Sequence, residues 1–204
     1  LDGEDAKIPQ AFWRNRQQGI FIMDTGDDLV KFINVLTHEI YHCRAFQSFR
    51  SDLEKKVLEE RRGGLSVNLR GKAGGAFMDL DESVTEYLVF FFFFRWAKKK
   101  EDVPDIINKI TEKYGEQDLY APVYLKDKLE FNDMLHEIQK KYPEEYKTTG
   151  EVAKIFIEAY FTGHLLKLRK LIDGAYGKGS FVKFAKEGMP PSEFDKNIEK
   201  SNNK

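Results

Sequence analysis

Cysteine is nearly missing from this chain: Cys43 stands alone, which excludes an intrachain disulfide and leaves the redox compartment open. Net charge is nearly missing too. The 33 basic residues face 34 acidic ones for a total of −1, so no overall basic field exists to draw in nucleic acid or an anionic membrane surface. Long apolar runs are lacking: the stretch from Leu88 to Phe94 falls far short of the ~20 residues a membrane-spanning helix needs. A buried helix is expected there and no membrane span. Lys98, Lys99 and Lys100 follow it, where positive charge complements a helix dipole as well as it would a phospholipid surface. Apart from the phenylalanine run there is no low-complexity tract, and there is no internal repeat. What is present suits a folded protein. At 204 residues, with 41% apolar and 14% aromatic content, the chain can build one domain or two closely packed lobes. It begins with Leu1 rather than methionine, which fits a processed or excised piece of something longer.

Residues 38 to 42 read His38-Glu39-Ile40-Tyr41-His42, an H-E-x-x-H pattern. On a helix, histidines at i and i+4 lie one turn apart on the same side, so both rings reach one metal ion, and the glutamate between them projects toward a water at that ion. This is a zinc hydrolase signature, with His38 and His42 as metal ligands and Glu39 as general base. The flanks predict a helix over about residues 27 to 50. Leu29, Val30, Phe32, Ile33, Leu36, Ile40, Cys43 and Phe46 recur at three- and four-residue intervals, and Asp27 or Asp28 suits the cap. Gly19 to Met23 reads as a short strand before it, and Asp24-Thr25-Gly26 as a turn. An isolated motif of this kind is also compatible with two ordinary histidines at a core edge. The chain carries its own control in His136-Glu137-Ile138-Gln139-Lys140, where a lysine stands at the second ligand position, and His136 reads as an exposed helix residue. Cys43 lies about 100° around the helix from His42 and reads as a small core residue.

A catalytic zinc usually takes three protein ligands and leaves a fourth position to water. The best third donor is Glu82, in Leu80-Asp81-Glu82-Ser83-Val84-Thr85-Glu86-Tyr87-Leu88. There Asp81 or Ser83 suits a helix start, and Leu80, Val84, Leu88 and Phe91 form an apolar stripe. Glu82 and Glu86 then share a face one turn apart. Without the upstream motif, the same pair would read as a solvated acidic helix start favoured by the dipole.

With these residues in hand, the sequence resembles the gluzincin metallopeptidases, the thermolysin-like and aminopeptidase N-like group. The resemblance implies a zincin-like fold with one Zn2+ ion, Glu82 as third ligand, and Glu86 as the carboxylate that fixes the outer nitrogen of His38. Further on, Glu158 to Leu168 with Tyr176 to Phe181 is similar to the tyrosine-x-x-glycine helix of aminopeptidase N-like enzymes. That likeness implies that Tyr160 donates to the oxyanion of a tetrahedral intermediate, with Gly163 allowing close helix packing. Tyr160 also fits a plain core aromatic, and His164, one turn on, is the alternative oxyanion donor, with Tyr176 a weaker one. The likeness covers about residues 20 to 50, 78 to 96 and 150 to 187. It departs from the family at Asp81, where asparagine or glycine is common, and at Glu86, where aspartate is common. No G-x-M-E-N strand is found, and the 40 positions from His42 to Glu82 exceed the aminopeptidase spacing, so exopeptidase specificity is not inherited.

Between the histidines and Glu82 the chain changes character. A charged, helical-looking stretch from Asp52 to Arg62 gives way to Gly63-Gly64, an alternating Leu65 to Leu69, and the glycines between Gly71 and Gly75. This reads as a surface loop with an edge strand able to border a cleft and pair with an extended substrate. After Pro104 the pattern is helical, near 104 to 114, 123 to 141, 150 to 174, 179 to 187 and 191 to 200, with breaks at Gly115, Pro143, Gly150 and Pro190-Pro191. The expected fold class is α+β and predominantly helical: one catalytic domain over 1–204, with a small strand-bearing, metal-binding lobe (1–100) and a helical lobe (101–204). The expected activity is zinc-dependent peptide hydrolysis on a peptide or protein substrate, with water activated by the metal and Glu39. The alternatives are a non-catalytic zinc-binding or interaction module on the same scaffold, or a hydrolase of another amide or ester.

Overall fold

The computed structural model describes residues 11–14, 19–22, 29–52, 56–68, 75–92 and 125–189. The expected caps at Asp27 and Asp28, the turn at 24–26, and the helices at 104–114 and 191–200 lie outside those residues. The chain is mixed α and β with helix predominating, and it forms two compact units. One comprises Leu1–Arg44 and Leu88–Ala121, the other Ala45–Tyr87 and Pro122–Lys204.

In the first unit, strands β1 (Ala11–Arg14) and β2 (Gly19–Ile22) pair antiparallel, from Ala11 opposite Ile22 to Arg14 opposite Gly19. This hairpin packs on helix α1 (Leu29–Arg44). Among the described side chains of α1, Val35, His38 and Glu39 are buried, while Phe32 and Ile40 of the expected apolar stripe are exposed. The helix stops at Arg44, short of the expected residue 50. Residues 47–52 form a strand instead, because the next segment, 57–63, pairs with them and satisfies their backbone groups.

That strand opens the second unit. Strands β3 (Gln47–Asp52), β4 (Val57–Gly63), β5 (Ser66–Asn68) and β6 (Gly75–Ala76) form an antiparallel sheet in sequence order, with a bulge between Ser48 and Phe49. Residues 57–62 are rich in helix formers, yet they are strand. Turns bound them on both sides, at Lys56 with φ of 51° and at Gly64 with φ of 55°, and a helix that short does not repay its nucleation. Arg50 and Glu59 face each other across β3 and β4, with Arg50 Nε and Nη2 donating to Glu59 Oε2 at 2.9 and 2.8 Å. Such a half-exposed cross-strand pair contributes roughly 0.2–1 kcal/mol. The strand expected as an edge is β5, and it lies between β4 and β6.

Helix α2 (Met78–Phe91) begins earlier than the expected Asp81 or Ser83. It buries Leu80, Val84 and Leu88, as its spacing predicts, but Phe91 is exposed and Val89 is buried. Helices α3 (Leu125–Lys141), α4 (Thr149–Thr162), α5 (Leu165–Tyr176) and α6 (Ser180–Glu187) complete the second unit. Their core includes Phe131 and Ile138 of α3, Val152 and Phe156 of α4, Leu168 and Ile172 of α5 and Phe184 of α6. Phe131 sits edge-on to Phe156 at 5.2 Å between ring centres and to Tyr87 at 5.6 Å, which ties α2 to α3 and α3 to α4. Among the described residues, no helix is long and apolar enough to cross a membrane.

The single helix expected over 150–174 is two, α4 and α5, broken at Gly163. A capping box starts α4: Thr148 Oγ1 accepts from Glu151 N, and the Glu151 carboxylate accepts from Thr148 N. Gly163 ends it with φ of 77°, and its N–H donates to Ala159 O. Arg62 then caps the exposed carbonyls, donating from Nη1 to Gly163 O at 2.6 Å, with its guanidinium 5.1 Å from the centre of the Phe46 ring.

Gly163→Ala is expected to destabilise the protein by roughly 2 kcal/mol or more, read as a lower urea midpoint. An added Cβ combines a left-handed backbone penalty with a contact of 2.7 Å to the Phe46 ring. A second expectation concerns pH. Asp173 Oδ1 accepts from Phe181 N at 2.8 Å at the start of α6, and this bond, ahead of its partner Arg169, holds the Asp173 carboxyl below its ordinary value. A depressed folded pKa stabilises above the unfolded carboxylate pKa, and that gain is lost as pH falls through the folded value. Asp173→Ala should therefore lower the melting temperature at pH 7, with the gap to wild type closing as the pH falls below about 4.

Candidate metal site

His38 and His42 occupy successive turns of α1, and their rings meet. The two Nε2 atoms are 2.9 Å apart, and the ring centres are 4.6 Å apart at 69°. Two imidazoles that aim the same nitrogen at one point are arranged as a chelate. His38 is 8% exposed, and Glu39, which follows it, is 7% exposed. Burial also pushes the Tyr41 phenol, on the same two turns, above its ordinary value, so it stays neutral near pH 7.

Glu82 is carried by α2, and the sequence around it is unusual for a buried helix because Asp81, Ser83, Thr85 and Glu86 are all buried. Burying a polar group is costly unless it is hydrogen-bonded, and the bonds of Ser83, Thr85 and Asp81 show how that cost is met. Ser83 Oγ donates to Asp79 O, and Thr85 Oγ1 donates to Asp81 O at 2.9 Å. Asp81 Oδ1 accepts from Leu65 N at 2.6 Å and Ser66 N at 3.3 Å, which clamps the β4–β5 turn onto the first turn of α2. The turn can approach so closely because residue 64 is glycine: a Cβ there would strike Asp81 Oδ1 and lie 2.8 Å from the Tyr160 ring. Burial lowers the Arg62 pKa, and the negative charge of Asp81 opposes that shift.

His38, His42 and Glu82 each offer one ligand atom, and these atoms lie within 4.8 Å of one another. Two imidazole nitrogens and one carboxylate oxygen form a donor set that suits a divalent transition metal. A tetrahedral ion with bonds of about 2.0–2.2 Å would hold its donors roughly 3.3 Å apart, between the 2.9 Å of the Nε2 pair and the 4.8 Å that bounds the whole set. The residues fit such an ion.

The other expected residues fall as follows. Glu86 is buried one turn beyond Glu82. Tyr160 is 0% exposed in the core of the second unit, with its hydroxyl 3.0 Å from Thr85 Oγ1. His164 is exposed at the start of α5 and makes no side-chain capping bond. Tyr176 donates to Glu137 Oε2 at 2.8 Å, and burial, reinforced by that carboxylate, pushes its phenol far above its ordinary value. His136 is exposed on α3, and Cys43 is half-buried on α1. The residues that composition and periodicity did not single out are Gly64, Thr85 and Arg62. The only signals for them were the Gly63-Gly64 doublet and the density of polar residues in an apolar helix. No protein-family profile, curated protein or solved structure matches this chain, so the reading of its chemistry rests on the residues themselves.

Proposed function

We propose that this protein is a zinc-dependent peptidase, with the metal held by His38, His42 and Glu82. The observation that carries the reading is the convergence of those three donor groups, which arise from positions 40 residues apart in sequence, beside the buried Glu39. Zinc bound there would supply Lewis acidity, polarising a carbonyl and bringing the pKa of a water toward ~7. Glu39 takes the proton from the attacking water and later delivers it to the departing amine, so no covalent enzyme intermediate is required. Glu86 orients the His38 ring through its outer nitrogen, the usual task of a carboxylate behind a histidine ligand. The zincin-like architecture belongs to this proposal as well, and so does an oxyanion donor, for which Tyr160 is the expected residue, buried, and His164 the alternative, exposed.

Two substitutions test the assignment. Glu39→Gln should keep zinc affinity within a few-fold of wild type and reduce turnover of a peptide library by at least ~100-fold, the contribution of a positioned general base. Undiminished cleavage would remove Glu39 from the role. Glu82→Ala should weaken zinc binding, measured by competition with a chromophoric chelator, by more than the ~10–100-fold that loss of a residue behind the ligands costs. Zinc bound by wild type without any metal-dependent cleavage would instead identify a non-catalytic metal module, and cleavage confined to non-peptide amides or esters would identify a different hydrolase.

A further inference from the structure

The geometry points to Tyr160 as a positioning residue that sets the rotation of α2, and hence the placement of the Glu82 carboxylate; this rests on the metal-site reading above. The direction of its hydrogen bond decides the matter. Thr85 has one hydroxyl proton and donates it to Asp81 O at 2.9 Å. The contact of 3.0 Å between Thr85 Oγ1 and Tyr160 Oη therefore has Tyr160 as donor. A phenol with its only proton committed in a fully buried position is not available to an oxyanion.

What the bond does is mechanical. Asp81 and Thr85 are one turn apart on α2, and each is gripped from outside the helix, Asp81 by the amides of Leu65 and Ser66 and Thr85 by Tyr160. Glu82 is adjacent to Asp81 and three residues before Thr85, about 100° around the axis from the gripped face. A helix held at one point can turn about its axis; one held on two successive turns cannot. The magnitude matters, because a side-chain terminus lies about 5–6 Å from a helix axis, so a 10° rotation displaces it by ~1 Å. Metal ligands tolerate only ~0.2 Å. Tyr160 is itself fixed, since Phe46 N donates to its carbonyl at 3.0 Å and its ring packs over Gly64.

The test uses the full chain and zinc alone, with affinity read by competition against a chromophoric chelator and folding read by melting temperature. Tyr160→Phe and Thr85→Val should each weaken zinc binding by on the order of 10-fold, the size expected for a group behind a ligand. The double variant should be no weaker than the worse single variant, because both remove the same bond. Thr85→Ser keeps the hydroxyl and should restore affinity to near wild type, which also covers the case of a poorly folded valine variant. A lower melting temperature with unchanged zinc affinity would reduce Tyr160 to a core residue and overturn the inference. Unchanged affinity with a large fall in kcat would do the same in favour of an oxyanion donor. A wild-type chain that binds no zinc would overturn both the inference and the reading beneath it, whereas wild-type binding with equal binding by the variants would overturn the inference alone.

Discussion

The second unit is organised around one buried carboxylate. Asp81 takes the amides of Leu65 and Ser66 on a single oxygen, and that interaction seats a tight β4–β5 turn on the first turn of α2. Its desolvation has to be offset, and charge-assisted hydrogen bonds do so better than neutral ones. The arrangement then propagates. Gly64 must be glycine to let the turn approach, Gly64 N donates to Phe46 O at 2.7 Å, and Phe46 N donates to Tyr160 O. From the end of β4, Arg62 reaches the C-terminus of α4. Sheet, α2 and α4 are thus joined through a few polar bonds rather than through apolar area alone.

Such a design is expensive for stability alone. A helix in the position of α2 could bury leucine and valine on every face, yet this one carries Asp81, Ser83, Thr85 and Glu86 inside. Helix α1 does the same with His38 and Glu39, while leaving Phe32 and Ile40 outside. Local rules broken in this direction, polar residues in and large apolar residues out, are expected where function sets the placement rather than folding. Both helices that carry the donor groups break the rule repeatedly, whereas α3, which carries the look-alike His136, buries Phe131, Met134, Leu135 and Ile138 with one acid, Glu130, among its described residues.

Helix existence was legible from the sequence pattern, which located α3, α6 and the start of α4 to within a few residues. The partner-dependent parts were not. Residues 47–52 and 57–63 became strands where helix was expected, because they pair with each other across a hairpin and that mutual pairing outweighs the single-residue preferences. The break in α4–α5 hid in a single glycine, and only the ring of Phe46, far away in sequence, explains why no side chain fits there. At the site, the histidine spacing carried its own geometry, whereas the clamp on α2 joins Leu65, Asp81, Thr85 and Tyr160 across 95 residues and leaves almost no trace in a linear pattern.

The donor set by itself does not choose a chemistry. Two histidines and one carboxylate with open positions also describe iron sites that activate oxygen, so the case for hydrolysis turns on what surrounds the donors. Oxygen-activating chemistry needs no proton-accepting carboxylate fixed between the two histidines. The hydrolysis proposed above would use one, and Glu39, next to His38 on the helix that carries both histidines, is the residue to which the proposal gives that task. Cys43 lends no thiolate alternative, because one step along α1 turns it about 100° from His42. On the proposed reading, position 39 therefore separates hydrolysis from the other uses of this donor set more sharply than the ligands do.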